Sequence, residues 1–107
     1  EDVSRFHRIK SDEHWFWHEG SPLTLHILEK NGYQSLHLGP IGIGDCKPQG
    51  LVSKNLIFGS TVDEIDTYVL VSCVVAPRFD FRDFELLDRK TLLSQFPENQ
   101  AIIERLT

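Results

Sequence analysis

A chain of 107 residues, 40% hydrophobic and 25% charged, is one globular domain that buries roughly two-thirds of its unfolded surface. A formal net charge of -5 denies it the basic face that a nucleic-acid polymer or an anionic membrane requires, although a few local cations can still hold a small anion. No run reaches the length of a membrane span, no secretory leader is present, and Cys46 and Cys73 lack any metal spacing, which predicts reduced thiols in a cytoplasmic protein.

The chain has no methionine and opens on Glu1-Asp2, so the expectation is a fragment or processed product whose fold lacks strands preceding Glu1. Val3 to Ile9 reads as a strand, Lys10 to Asp12 as a polar turn, and Glu13 to Trp17 as a second strand rich in the aromatics that strands favour. Side chains alternate along a strand, which places Arg5, His7 and Ile9 on one face and Glu13, Trp15 and Trp17 on another. After the turn chemistry of Glu19 to Pro22, Leu23 to Leu28 is a third strand. Asn31-Gly32 then turns it into a hairpin with Tyr33 to Leu38. Gly39 to Gly50, with four glycines and two prolines in twelve residues, is a loop. Leu51-Val52 and Leu56 to Phe58 flank a Ser53-Lys54-Asn55 turn, and Gly59 to Asp66 is polar enough to loop out. Thr67 to Ala76, β-branched and ended by Pro77, is the strongest strand and is expected at the centre of a sheet. Phe79, Phe81 and Phe84 alternate with Asp80, Arg82 and Asp83, predicting a strand or extended arm whose rings cover a barrel end. Asp88 caps a helix through Phe96, and Pro97 opens a second with Ile102, Ile103 and Leu106 as its apolar stripe. About seven short strands and a helical tail predict a β-sandwich or barrel.

The functional weight falls on Arg5 to Gly20, which holds three of the five histidines and both tryptophans. Strands paired across the Lys10 to Asp12 turn would aim His7, Glu13 and two indoles into one cavity. A buried carboxylate beside an imidazole has a perturbed pKa, and such pairs cluster at functional sites. Trp15 and Trp17 are either core or a stacking surface; Gln49 offers an amide donor and acceptor; Lys10 and Arg5 are candidate phosphate cations. The plain alternatives are a hydrogen-bonded His7–Glu13 pair in a polar cavity and solvated surface charges. Cys73 reads as a small buried hydrophobe.

His7-Arg8-Ile9, three residues, Glu13, six residues and Gly20 resemble the first cupin motif, His-x-His, three or four residues, Glu, six residues, Gly. Ser53 to Phe58 falls on the second, Pro-x-Gly-x-x-His. A branch of small cupins without assigned biochemistry is more similar still, through Phe6 to Glu13, Gly20-Ser21-Pro22-Leu23, Lys47-Pro48-Gln49, Ala76 to Phe84 and the closing Ile-Glu-Arg-Leu-Thr. Arg78 and Phe16 stand where that branch usually has glycine and histidine. The resemblance implies an all-β double-stranded β-helix, or jelly-roll barrel, with short C-terminal helices. It also implies a single domain over residues 1–107 that lacks the family's N-terminal helix and strand, and a homodimer with an internal pocket.

By position, His7 and Glu13 remain from the cupin metal set, while Ile9 and Phe58 replace two ligands. The expectation is therefore no cofactor; a divalent transition metal, if any, would use His7, Glu13 and His26. The leading functional expectation is a pocket for a carbohydrate- or nucleotide-type ligand, a nucleoside diphosphate or nucleotide sugar, lined by Arg5, Lys10, Trp15, Trp17, Gln49 and Phe58. By analogy with metal-free epimerases of nucleotide-linked sugars, His7 would act as a base oriented by Glu13. A metal-dependent isomerase or dioxygenase, and a non-catalytic interaction module whose barrel is filled by rings, are the alternatives.

Overall fold

The computed structural model describes residues 3–107; Glu1 and Asp2 lie outside the described residues. Eight strands run β1 Val3–Arg8, β2 Asp12–Gly20, β3 Leu23–Glu29, β4 Gly32–Leu38, β5 Gln49–Val52, β6 Ile57–Val62, β7 Val69–Ala76 and β8 Glu85–Leu86. Helices α1, Arg89–Gln95, and α2, Gln100–Arg105, follow. The strands form two antiparallel sheets, a first of order β4-β3-β6-β1-β8 and a second of order β5-β2-β7. Their facing surfaces enclose Trp15, Leu23, Leu25, Ile27, Leu38, Val52 and Phe58. This is the architecture of a jelly-roll barrel.

The hairpin forms as expected, with a refinement. Glu29 pairs with Gly32, so Lys30-Asn31 is the two-residue loop and Gly32, at φ +115°, begins β4. Asn55 takes the left-handed conformation at φ 69°; its amide donates to the Ile9 carbonyl and that of Lys54 to Asp12 Oδ1. At the C-terminus Asp88 Oδ1 accepts from the Thr91 amide and caps α1, and Pro97 opens a 3-10 turn leading into α2. Leu92, Ile103 and Leu106 then pack with Phe6, Leu28, Ile57 and Leu87 in a second core on the outer face of the first sheet.

Three expectations are corrected. Gly59 to Val62 does not loop out but completes β6, which pairs with β3 on one side and β1 on the other. Polarity misled there because Thr61 bonds His26 and is buried while Gly59 is required sterically: a Cβ on it would sit 2.6 Å from the Ser4 carbonyl oxygen. β7 is not central but forms an edge of the second sheet, its apolar residues facing the core on one side and open space on the other. The phenylalanine arm is no strand. Phe81–Asp83 is a 3-10 turn capped by Asp80, which accepts from the Arg82 amide and guanidinium, and only Glu85–Leu86 pairs with β1.

Candidate functional site

Register determines what faces the space between the sheets. In the first sheet His7 lies opposite Phe58 and Phe58 opposite Ile27, so His7 shares the core-facing surface. In the second, Glu13 lies opposite Val52 and Val75, and Trp15 opposite Cys73, again facing inward. His7 and Glu13 therefore approach the same space from opposite walls.

Strict alternation would have carried Arg5 there too, but β1 bulges. Between the Ser4–Ser60 and His7–Phe58 pairs, Arg5 and Phe6 stand against Gly59 alone, two residues against one, so Arg5 is the extra residue and its side chain is exposed. Its carbonyl is what reaches the site. His7 Nδ1 lies 2.7 Å from the Arg5 carbonyl oxygen, and since a carbonyl only accepts, Nδ1 carries the proton. In the neutral ring the lone pair is then on Nε2. The imidazole is held between Phe58, ring centroid 4.3 Å away, and Phe84, stacked at 5.3 Å and 22°.

Glu13 Oε2 accepts a 2.7 Å bond from the Trp15 indole. Burial pushes its carboxyl above the usual range, against smaller opposing effects from that bond and from His7. Cys73, across from Trp15, has its thiol pushed up to about 12 by burial and by the neighbouring Glu13 carboxylate. It stays protonated, but the residue is exposed on an edge strand rather than buried as the sequence predicts, because no described strand pairs beyond β7.

The other predicted ligand contacts scatter. Trp15 and Phe58 are core residues, 9% and 1% exposed, meeting edge to face at 6.2 Å. Trp17 packs beside them, its indole donating to the Ser21 carbonyl. Lys10 is an exposed turn residue. Gln49 lies opposite Phe16, on the face of the second sheet turned away from the core. With Phe16, His18, Lys47 and Pro48 it lines an open groove of about 780 Å³ outside the barrel, and Trp17 is the one other predicted ligand residue on that groove. Another, of about 630 Å³, lies between the 62–67 segment and Arg105, and neither groove is lined by His7 or Glu13. Phe84 is the contact the sequence left unassigned: its ring was expected to cover a barrel end, and its stacking on His7 depended on where the turn beyond Pro77 would return.

A resident transition metal, which the cupin fold often holds, does not fit these residues. His26 pairs with Gly59, one residue out of phase with Ile27 and Phe58, so it projects from the opposite face to His7. There its two ring nitrogens are engaged by the Tyr33 hydroxyl at 2.6 Å and Thr61 Oγ1 at 2.9 Å. Among the described residues no group of three or more histidine, cysteine, aspartate or glutamate side chains is disposed to hold a metal ion. His7 and Glu13 alone fall short of the three or four protein donors of a tight site.

A family model described as cupin superfamily (DUF985) matches residues 1–87. The chain belongs to the cupin superfamily. Solved structures agree with this cupin assignment: a protein from Shewanella oneidensis is 37% identical with a TM-score of 0.91, the alignment covering 98% of this chain and 66% of that one. A hypothetical protein from Leishmania major is 34% identical with a TM-score of 0.87, covering 98% of this chain and 69% of the other. The chain thus spans about two-thirds of the length of these two relatives. No curated protein matches it. No described helix is long and apolar enough to cross a membrane.

Proposed function

We propose that this cupin binds a small polar ligand of carbohydrate or nucleotide type, a nucleoside diphosphate or nucleotide sugar, between His7 and Glu13. The observation that carries the reading is the fixed His7 tautomer: with Nδ1–H given to the Arg5 carbonyl, Nε2 is the basic atom on a ring that faces the inter-sheet space. Glu13 stands on the facing wall with its carboxyl held toward the neutral form, so one group takes a proton while the other shares or supplies one. That pairing suits metal-independent epimerisation or isomerisation of a sugar. The flat ring of the ligand would displace Phe84 from the imidazole face on which it stacks.

Thermal-shift measurements with uridine diphosphate, nucleotide sugars and sugar phosphates at millimolar concentration test this. A ligand present at about 100 times its Kd stabilises the fold by about 2.7 kcal/mol. The expected result is a rise in Tm of several degrees with at least one of them, lost in His7→Ala. No shift with any of them overturns the reading.

A second reading, an interaction module without a ligand, is favoured by one specific observation: Trp15 and Phe58 fill the barrel and both indole N–H groups are already satisfied. Under it, His7→Ala and Glu13→Gln alter stability alone.

A further inference from the structure

Three segments meet at one end of the barrel, and each brings a cation. Lys10 lies in the turn from β1 to β2, Lys54 in the turn from β5 to β6, and Arg78 just beyond β7. Hydrogen bonds tie the segments together. The Asn55 amide donates to the Ile9 carbonyl at 2.8 Å, the Lys54 amide to Asp12 Oδ1 at 2.8 Å, and the Ser11 hydroxyl to the Arg78 carbonyl at 3.0 Å. Lys10 therefore stands between a residue bonded to the neighbour of Lys54 and a residue bonded to Arg78 itself. Ser11 is only 8% exposed, so the backbones are fixed while the three long side chains remain in solvent.

The chain has eleven lysines and arginines against sixteen aspartates and glutamates. Arg8 is paired with Glu85 and Arg82 with Asp80, and Arg89 is bonded to Thr107 and the Glu104 carbonyl. Among the described residues no carboxylate is ion-paired with Lys10, Lys54 or Arg78. The acids nearest them in sequence are engaged: Asp12 by the Lys54 amide, Glu13 by the Trp15 indole and Asp80 by Arg82. Like charges gathered on three tied segments repel, and an anion seated among them removes that repulsion.

We infer that this end of the barrel is an anion site and that its ligand is a diphosphate ester rather than a carboxylate or a neutral sugar. A carboxylate offers its oxygens at one point. Two linked phosphates offer oxyanions along their length, which suits cations on three segments: the Arg78 guanidinium engages two oxygens at once, and the lysines act as point charges. The site also has a direction. Lys10 is three residues from His7 and three from Glu13, at most about 10 Å of chain in each case. The group that the diphosphate carries thus lies within reach of the His7–Glu13 space. That last step rests on the function proposed above, whereas the anion site does not.

Isothermal titration calorimetry at low ionic strength, with inorganic pyrophosphate, uridine diphosphate and uridine diphosphate glucose as probes, tests the inference. Lys54→Gln and Arg78→Gln keep the bonds that tie the segments, because those bonds use main-chain atoms at both positions. Each variant is expected to weaken all three probes by about fivefold, and the double variant by about twentyfold. Lys90→Gln, which removes the same charge from α1, is expected to change none of them. His7→Ala is expected to leave pyrophosphate unchanged and to weaken only the nucleotide sugar. No binding of any probe, or binding indifferent to Lys54→Gln and Arg78→Gln, overturns the anion site. Pyrophosphate bound more tightly than both nucleotides overturns the ester and makes free diphosphate the occupant. Binding that depends on both cations but never on His7 supports the anion site and overturns its link to the His7–Glu13 space.

Discussion

The two sheets invert the usual relation between polarity and burial. On the outer face of the first, Thr24, His26 and Thr61 are 7%, 7% and 4% exposed. On the outer face of the second, Leu51, Leu70 and Val74 are 44–54% exposed. The difference lies in what covers each sheet. α1, α2 and the 62–66 segment lie against the first, and its buried polar groups are bonded in pairs: His26 to Tyr33 and Thr61, and Thr24 to Asp63 Oδ1 at 2.7 Å. No described helix covers the second, which only the 41–48 loop borders, near Phe16 and Gln49. Residue type alone assigns a side chain to a face; the presence of another layer decides whether that face is dry.

Truncating the covering layer has the largest expected effect. Leu106→Ala removes a fully buried side chain from the core beneath the helices and costs about 3–4 kcal/mol in urea unfolding. Losing the cap that starts this layer is milder: Asp88→Ala frees the Thr91 amide and lowers Tm by about 4 °C.

Acid probes the same face. Burial and the nearby Arg105 hold the His26 pKa below its ordinary value near 6.5, so the unfolded chain takes up that proton first. The contribution of neutral His26 is intact above pH 6.5 and declines as pH falls below it. His26→Gln flattens the stability profile in that window even where it lowers stability at pH 7.5.

Glu13, inside the barrel, has the opposite sign. Its folded pKa is raised, so its carboxyl begins to oppose folding as pH rises past the unfolded value of 4.5 and does so in full above the folded value. Glu13→Gln, which still accepts from Trp15, raises Tm slightly at pH 7, and the gain disappears below about pH 4.5. The smallest effect belongs to the uncovered sheet. Leu51→Ala changes stability by no more than about 0.5 kcal/mol, and a larger loss would mean that this face is covered after all.

Much of the barrel was legible because its signals are local. Period-two alternation marked β1 to β4, and Asp88 and Pro97 delimited the tail. What escaped depends on partners distant in sequence. Gly59, Ser60 and Thr61 read as a loop because their burial derives from β1 and β3 on either side. β7 read as central because strand composition reports how apolar both faces are, not which strand is missing beside it. Motif spacing singled out His7 and Glu13, and the register turns both toward the space between the sheets. Arg5 was misplaced because an extra residue in a strand leaves no trace in alternation until the partner strand is known. The His26 side chain was open to either face until its register with Gly59 fixed it.

The Arg5 irregularity and the bare Cα of Gly59 form one mechanical unit. The Ser4 carbonyl swings into the volume that a side chain at position 59 would occupy. Deleting Arg5 would straighten the ladder and leave His7 opposite Phe58, while Leu106, 3.0 Å from where a side chain at 59 would begin, still crowds that position. The same deletion would strip Nδ1 of its fixed acceptor and let the imidazole exchange tautomers freely. A length polymorphism of one codon would therefore change which ring nitrogen holds the imidazole proton without altering any side chain that lines the barrel.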